Sequence, residues 1–294
     1  MSETALMFLH ALSGLHPGSG TALGVVDLPI QRERHTSWPV IPGSSLKGVL
    51  RASGSRVAGA DSEEVLSAFG PSAGASGEHA GAVSISDAGV VAFPVRSLSG
   101  VFAWVTSPSV LRRVSRDAAM AGMSLPDFPE PGEGGAACAS DSPLLVDGDG
   151  MMLEEFEFQR MGDADGAAEW IAQHATDDAT AAEQIRKRLV VIHDDDFSHF
   201  VRNATEVVAR IGLDYETKTV RGGALFYEEY LPPETLFCAI VNCSDSRRAT
   251  HSANAAQVMS WMKANIPDVL QIGGGETIGK GLCGVNLVVG GAGD

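Results

Sequence analysis

The sequence predicts an α+β fold, a ferredoxin-like sheet carrying insertions, and three observations lead there. Strand-like and helix-like segments mix without the regular strand–helix–strand alternation of a doubly wound fold. Two strand-like runs, Glu206 to Leu213 and Lys218 to Leu231, are joined by a turn near Asp214-Tyr215-Glu216 and read as a hairpin. The stretch from Val269 to Val289 reads as strand, glycine loop, strand. With 294 residues and 44% hydrophobic content, the chain can bury a sizeable core. No internal repeat divides it.

The elements follow in order. Leu6 to Leu12 (LMFLHAL) is a short apolar strand. A long polar loop rich in Gly, Pro, Arg and His runs over residues 14–42, and loops of that length in compact domains usually serve a function. Ser44 or Ser45 is the expected N-cap of a helix carrying Leu46, Val49 and Leu50. Gly70 to Gly81 is a flexible loop by composition. Val83 to Ser86, Val90 to Val95 and Val101 to Val105 read as strands, and Ser109 to Ala121 as a basic helix. Asp127 to Asp149 is rich in Pro, Gly and acids and is expected to be a surface insertion. Ala167 to Leu189 reads as one helix, Val190 to Ile192 and Leu236 to Val241 as strands, and Asn254 to Ala264 as a helix.

The formal net charge of −16 argues at first sight against binding nucleic acid. Its distribution reverses that. Between Asp117 and Asp196 lie 19 acidic and 4 basic residues, whereas Leu28 to Arg116 holds 9 basic and 6 acidic ones. The acidity is one regional block, and the flanking segments can present a basic face. No apolar run is long enough to span a membrane, and no basic segment precedes an apolar stretch at the N-terminus, so neither a membrane span nor a secretory signal is expected. The four cysteines, Cys138, Cys238, Cys243 and Cys283, show no metal spacing and read as reduced thiols packed in the core.

Two motifs carry chemistry. Gly274 to Lys280 (GGETIGK) nearly spells a phosphate-binding loop, but Gly281 stands where a magnesium-holding hydroxyl is needed. A strand, not a helix, is expected to follow from Leu282. An NTPase is therefore excluded, which leaves either a plain turn or a loop whose amides and Lys280 meet phosphate. Ile41 to Arg51 (IPGSSLKGVLR) places hydroxyls and amides at a helix start, with Lys47 and Arg51 four apart on one face. On spacing alone this is either an anion site or an ordinary cap with solvated bases.

Three segments together carry a resemblance. LHPGSGTALGVVDLPIQRERHTSWPVIPGSSLKGVLR (Leu15 to Arg51), FPVRSLSGVFAWVTSPSVLRR (Phe93 to Arg113), and GALFYEEYLPPETLF with QIGGGETIGKGLCGV (Gly223 to Phe237, Gln271 to Val285) resemble the Cmr-type backbone subunit of the RAMP superfamily, from type III-B CRISPR complexes. The resemblance is weakest over 61–81 and 118–183. It implies a single RAMP domain over 1–294: an RRM-related palm, a long active-site loop at 14–42, an acidic insertion at about 118–183, and a thumb hairpin at about 206–230. It implies subunits stacked head to tail on guide (CRISPR) RNA within a larger complex, in the cytoplasm, cutting target RNA at regular intervals with a divalent metal ion, magnesium or manganese. Residue by residue, the cleavage aspartate and metal ligand falls on Asp27, the loop histidine on His16, and the supporting glutamate and tyrosine on Glu228 and Tyr230, with Glu229 a competing acid. Guide contacts fall on Ser44, Ser45, Lys47 and Arg51, and on Gly273, Gly274, Gly275 and Lys280.

By residue type alone Asp27 reads as a turn-forming acid, His16 as a loop histidine and Tyr230 as core or rim. The chemistry is compatible with the resemblance, because RNA brings its own nucleophile and needs only alignment and proton management. A guide-holding protein reads backbone and shape, and 6% aromatic content leaves few platforms for base stacking. Two alternatives stay open: a guide-binding scaffold that does not cut, and a stand-alone RNA-processing enzyme of the same superfamily. The carboxylate of Asp27 speaks against the first, and the acidic block with the YEEYLP segment against the second.

Overall fold

In the computed structural model, which describes residues 2–71 and 79–290, the sheet is organised around β1 (Glu3–Ala11). Every residue of β1 from Ala5 onward is buried, so both of its faces are covered, as its unbroken apolar run requires. After it come β2 (Val40–Ile41), α1 (Gly43–Ala58), α2 (Glu63–Phe69), β3 (Val83–Ile85), β4 (Ala88–Arg96), β5 (Phe102–Thr106) and α3 (Pro108–Met120). The middle of the chain supplies β6 (Gly135–Ala137), β7 (Leu145–Val146), β8 (Gly150–Leu153), β9 (Phe156–Arg160), α4 (Asp165–Ala175), α5 (Ala179–Arg188), β10 (Leu189–Ile192) and α6 (Asp194–Asn203). The last part holds β11 (Glu206–Leu213), β12 (Val220–Tyr230), β13 (Leu236–Cys243), α7 (Ala255–Asn265), β14 (Val269–Gln271) and β15 (Leu282–Val289).

The strands form one mixed sheet in the order β14-β15-β1-β13-β4-β5-β10-β6-β9-β8-β7, with β2 beside β4 and β3 beside β13. Within it β15, β1, β13 and β4 stand side by side, each antiparallel to its neighbour. The crossover from β13 to β15 runs through α7, which packs on β13 and β1. Strand β4 changes partners along its length: Gly89 to Ala92 face β13, and Phe93 to Arg96 face β5. An irregularity opposite Leu236 and Phe237 bends it there and curls the sheet into its second half. The α+β class is therefore as the sequence predicts. Among the described residues the hairpin β11–β12 pairs with no other strand and stands outside this sheet, and an isolated bridge from Leu28 to Glu228 ties it to the loop.

Four expectations need correction. The helix read over 167–189 is two, because Asp178 caps the amides of Thr180 and Ala181 and starts a new one. The stretch 127–149 is not a surface insertion. Its Gly135–Ala137 segment is a buried strand between β10 and β9, and the acids around it, such as Glu133 and Asp141, are exposed. Small residues packed in a sheet carry no hydrophobic periodicity, so composition hid the strand. The region 118–183 is built into the main sheet through β6 to β9. Finally, Pro42 and not Ser44 or Ser45 is the N-cap of α1, and no side chain of its own segment caps it. The Asp87 carboxylate does so instead, accepting the Gly43 amide at 2.7 Å. A Cβ on Gly43 would lie 2.5 Å from the Ile85 carbonyl oxygen, so only glycine fits there. Of the flexible loop expected over 70–81, residues 72–78 lie outside the described residues.

Candidate active site

The root of the hairpin is where the candidate site residues gather. Along β12 the side chains pass from exposed at Leu225 to Tyr227, through half-buried Glu228, to buried Glu229 and Tyr230. The 14–42 loop crosses this root as an irregular partner. Leu15 and Leu231 exchange two backbone hydrogen bonds, of 2.9 and 2.8 Å. The Leu28 amide donates to Tyr227 O and the Glu229 amide to Leu28 O, each at 3.0 Å. These bonds hold a loop with little regular structure of its own in one place.

Alternation along the strand puts Glu228 and Glu229 on opposite faces and gives them different work. Glu229 is 6% exposed and locks the loop: Oε2 accepts the Ile30 amide at 3.1 Å, and Oε1 accepts from Arg32 Nη2 at 2.6 Å and Thr205 Oγ1 at 2.9 Å. Glu228 faces the other way, into a cluster with His16, Tyr230 and Arg210. The Tyr230 hydroxyl donates to Glu228 Oε2 at 2.5 Å. Arg210 donates from Nη2 to the Tyr230 hydroxyl at 2.8 Å and from Nε to Glu228 Oε2 at 3.2 Å. His16 Nε2 lies 3.9 Å from Glu228 Oε1, and its ring centroid is 5.6 Å from that of Tyr230.

The protonation pattern follows from the donors and acceptors. His16 Nδ1 lies 2.7 Å from the Glu229 carbonyl oxygen, which can only accept, so Nδ1 carries a proton and Nε2 is the ring nitrogen turned toward Glu228. Burial, reinforced by the hydrogen bond to Glu228, pushes the Tyr230 phenol above its ordinary value, against the pull of Arg210. Tyr230 therefore stays protonated. The hydrogen bond to Tyr230 likewise holds Arg210 above its usual value.

Asp27 reaches the same strand from the loop side. Its Oδ2 accepts the Tyr227 amide at 2.7 Å, one residue before Glu228. The loop tip preceding it is open to solvent, with Leu23 and Val25 fully or nearly fully exposed. Among the described residues no group of three or more His, Cys, Asp or Glu side chains is placed to hold a metal ion. Asp27 offers one hard oxygen donor, which suits a hard cation as a single ligand and does not make an all-protein cage.

The glycine loop packs on the back of His16. The Gly274 amide donates to the His16 carbonyl at 3.0 Å. Gly273 has φ +77°, and a Cβ on it would stand 2.3 Å from that carbonyl oxygen, so the loop can close on His16 only with glycine there. After Lys280 the chain enters β15, so the helix a phosphate-binding NTPase loop requires is absent at this point. The Lys280 ammonium lies 4.8 Å from the centre of the Tyr230 ring. It thus joins the cluster rather than standing apart in the loop. The other predicted RNA contacts lie on α1. Ser44 and Ser45 are exposed, and Lys47 is half-buried, its pKa pushed down by burial and by Arg51. A cleft of about 290 Å³, lined by Gly48, Ala52 and Arg56 of α1 and by Gln271 and Glu276, joins this helix to the glycine loop.

Sequence reasoning did not single out Arg210 or Arg32. The first could have been found from the hairpin register, which sets Val208 opposite Glu228 and so puts Arg210 on the same face. The cysteines stay out of the chemistry. All four are buried and unpaired, and burial pushes the thiols of Cys243 and Cys283 up to about 12.

The family model of the RAMP superfamily matches residues 8–284. The CRISPR system Cmr endoribonuclease Cmr4 of Pyrococcus furiosus is 43% identical over 285 residues, covering 96% of this chain and 95% of that protein. The crystal structure of oligomeric Cmr4 from Pyrococcus furiosus is similar with a TM-score of 0.74 at 34% identity, over 97% of this chain and 98% of the other. A chain in the cryo-electron microscopy structure of the type III-B Cmr-beta bound to cognate target RNA has a TM-score of 0.76 at 21% identity, over 97% and 96% of the two chains. At that identity the likeness speaks to the fold alone.

Proposed function

The chain belongs to the RAMP superfamily, and from that premise we propose that it is the endoribonuclease subunit of a type III-B CRISPR ribonucleoprotein, holding guide RNA and cutting the target RNA paired to it. The observation that carries this reading is the convergence of Asp27, His16, Glu228 and Tyr230 on the root of one hairpin. Four adjacent antiparallel strands in the order β15-β1-β13-β4 support a ferredoxin-like, RRM-related palm. The separate hairpin supports a thumb that wedges into the guide–target duplex. Copies of the chain stack head to tail along the guide beside the other subunits of the complex, in the cytoplasm.

Cleavage needs the 2′-oxygen of the target to attack the neighbouring phosphorus while the bond to the 5′-oxygen breaks. One proton must leave the 2′-hydroxyl and one must reach the departing 5′-oxygen. Asp27, on the open side of the loop, takes the first. His16 Nε2 gives the second, with Glu228 at 3.9 Å steadying the charged ring. Tyr230, kept protonated, holds Glu228 in place through its hydroxyl. A divalent ion would be held by Asp27 and phosphate oxygens, where it would offset charge on the phosphate. Ser44, Ser45, Lys47 and Arg51 on α1, with the loop from Gly273 to Lys280, line the path of the guide.

Asp27→Asn tests the assignment. Asn keeps the oxygen that accepts the Tyr227 amide, so the loop stays docked, but it takes no proton. In the assembled guide-bound complex, cleavage should fall by at least ~100-fold with guide and target binding intact. Wild-type products should carry a 5′-hydroxyl and a cyclic phosphate, and a target with 2′-deoxy at the cut positions should resist. Normal cutting by Asp27→Asn would return the chain to a scaffold role.

A further inference from the structure

Arg210 reaches the cluster from β11, the strand that contributes none of the four residues above. Its register places it one side-chain pair away from Glu228 on the same face of the hairpin. The guanidinium binds two partners at once, Nε on Glu228 Oε2 and Nη2 on the Tyr230 hydroxyl, with its carbon 5.8 Å from the centre of the Tyr230 ring. Because Tyr230 donates to that same Oε2, arginine, carboxylate and phenol close a three-membered ring of hydrogen bonds. The consequence lies in the other oxygen. With Oε2 engaged twice, only Oε1 is left to face His16 Nε2.

We infer that Arg210 is a positioning residue for cleavage: it locks Glu228 and Tyr230 so that one carboxylate oxygen is presented to His16. This rests on the active site proposed above. Four groups with charge or a titrating proton face Tyr230: Glu228, Arg210, His16 and Lys280. Among these only an arginine supplies two fixed donors to two acceptors, and a lysine placed at 210 would bring a single point charge.

The test is a cycle of Arg210→Ala, Arg210→Lys, Glu228→Gln and the double variant Arg210→Ala/Glu228→Gln, with Asp27→Asn as reference. Single-turnover cleavage is measured in the assembled complex with saturating target. Arg210→Ala should slow cleavage roughly 10- to 100-fold at unchanged guide and target affinity, the pattern of an interaction used only in the transition state. Arg210→Lys should stay closer to the alanine variant than to wild type. The double variant should be no slower than Glu228→Gln alone, since the arginine acts through that carboxylate. Additive losses, or full activity of Arg210→Lys, overturn the positioning role. Should Arg210→Ala fail to assemble, the same non-additivity is read from Arg210→Lys with Glu228→Gln. Normal cutting by Asp27→Asn overturns the site itself, whereas additivity beside an inactive Asp27→Asn overturns only the arginine's part.

Discussion

β13 and β11 are both eight residues long and both rich in apolar side chains, yet they have opposite fates. Six of the eight residues of β13 are buried, and none of β11 is. The cause is neighbours, not composition. β13 has β1 along one edge, β4 and β3 along the other, and α7 packed against it. Among the described residues β11 has only β12 as a strand partner, and a two-stranded ribbon cannot bury its own faces. Val207, Ile211, Val220 and Leu225 are accordingly about half exposed. The cluster proposed as the active site sits at the junction, where the ribbon enters the fold and solvent-facing strand becomes buried strand. A substrate held by the ribbon would therefore be delivered to groups that the rest of the fold keeps rigid.

The largest break in this comparison should come from shortening the ribbon. Deletion of Tyr215 to Thr219 removes the turn whose amides Asp214 caps, far from the root. The protein should keep its thermal stability and bind guide RNA, while target cutting loses its regular spacing. Unchanged periodic products on a sequencing gel would place the wedge elsewhere. A smaller effect is expected on the palm side. Lys47→Ala with Arg51→Ala should weaken guide binding with little sequence dependence and leave the cutting pattern intact. For every phosphate that goes unneutralised, the slope of log affinity against log salt should drop by about 0.7. An equal slope in a salt titration would remove α1 from the guide path.

The smallest effect sharpens how the loop is held. Arg113 of α3 grips Glu33 with two hydrogen bonds, of 2.6 and 3.1 Å. Burial alone would raise the Glu33 pKa, but the bonds from Arg113 and Thr36 outweigh it and hold the carboxyl below its ordinary value. A carboxylate depressed in the folded state contributes stability above its unfolded pKa, about 4.3, and loses it as pH falls through the lower folded value. Glu33→Gln should cost about 1 kcal/mol at neutral pH, and its melting temperature should fall less steeply than that of wild type below about pH 4.3. Parallel melting curves across that window would show the pair to be idle.

Segments with a strong local signature were legible from the sequence alone. β1 announced itself by an apolar run, β11 and β12 by two strand-like runs around a polar turn, and α7 by a helix-like run from Asn254, which the structure shows to be its cap. Such signals need only neighbours along the chain. The strand Gly135–Ala137 had none, because glycine and alanine show no pattern until a sheet leaves room only for small side chains. The cap of α1 was equally hidden, since Asp87 lies 44 positions from Gly43. In the site, resemblance pointed to His16, Asp27, Glu228 and Tyr230, and to an acid at either 228 or 229. Only the docked loop separated the two acids. Adjacent strand residues point to opposite faces, and the 14–42 loop, with Arg32, claims the face of Glu229. Lys280, proposed as an RNA contact, lies against Tyr230, a placement the glycine loop alone did not foretell. Arg210 emerged only from pairing across the hairpin. Asp27 and Tyr227 are 200 positions apart and meet at 2.7 Å, a contact set by the packing of loop on strand and by no local preference of either residue.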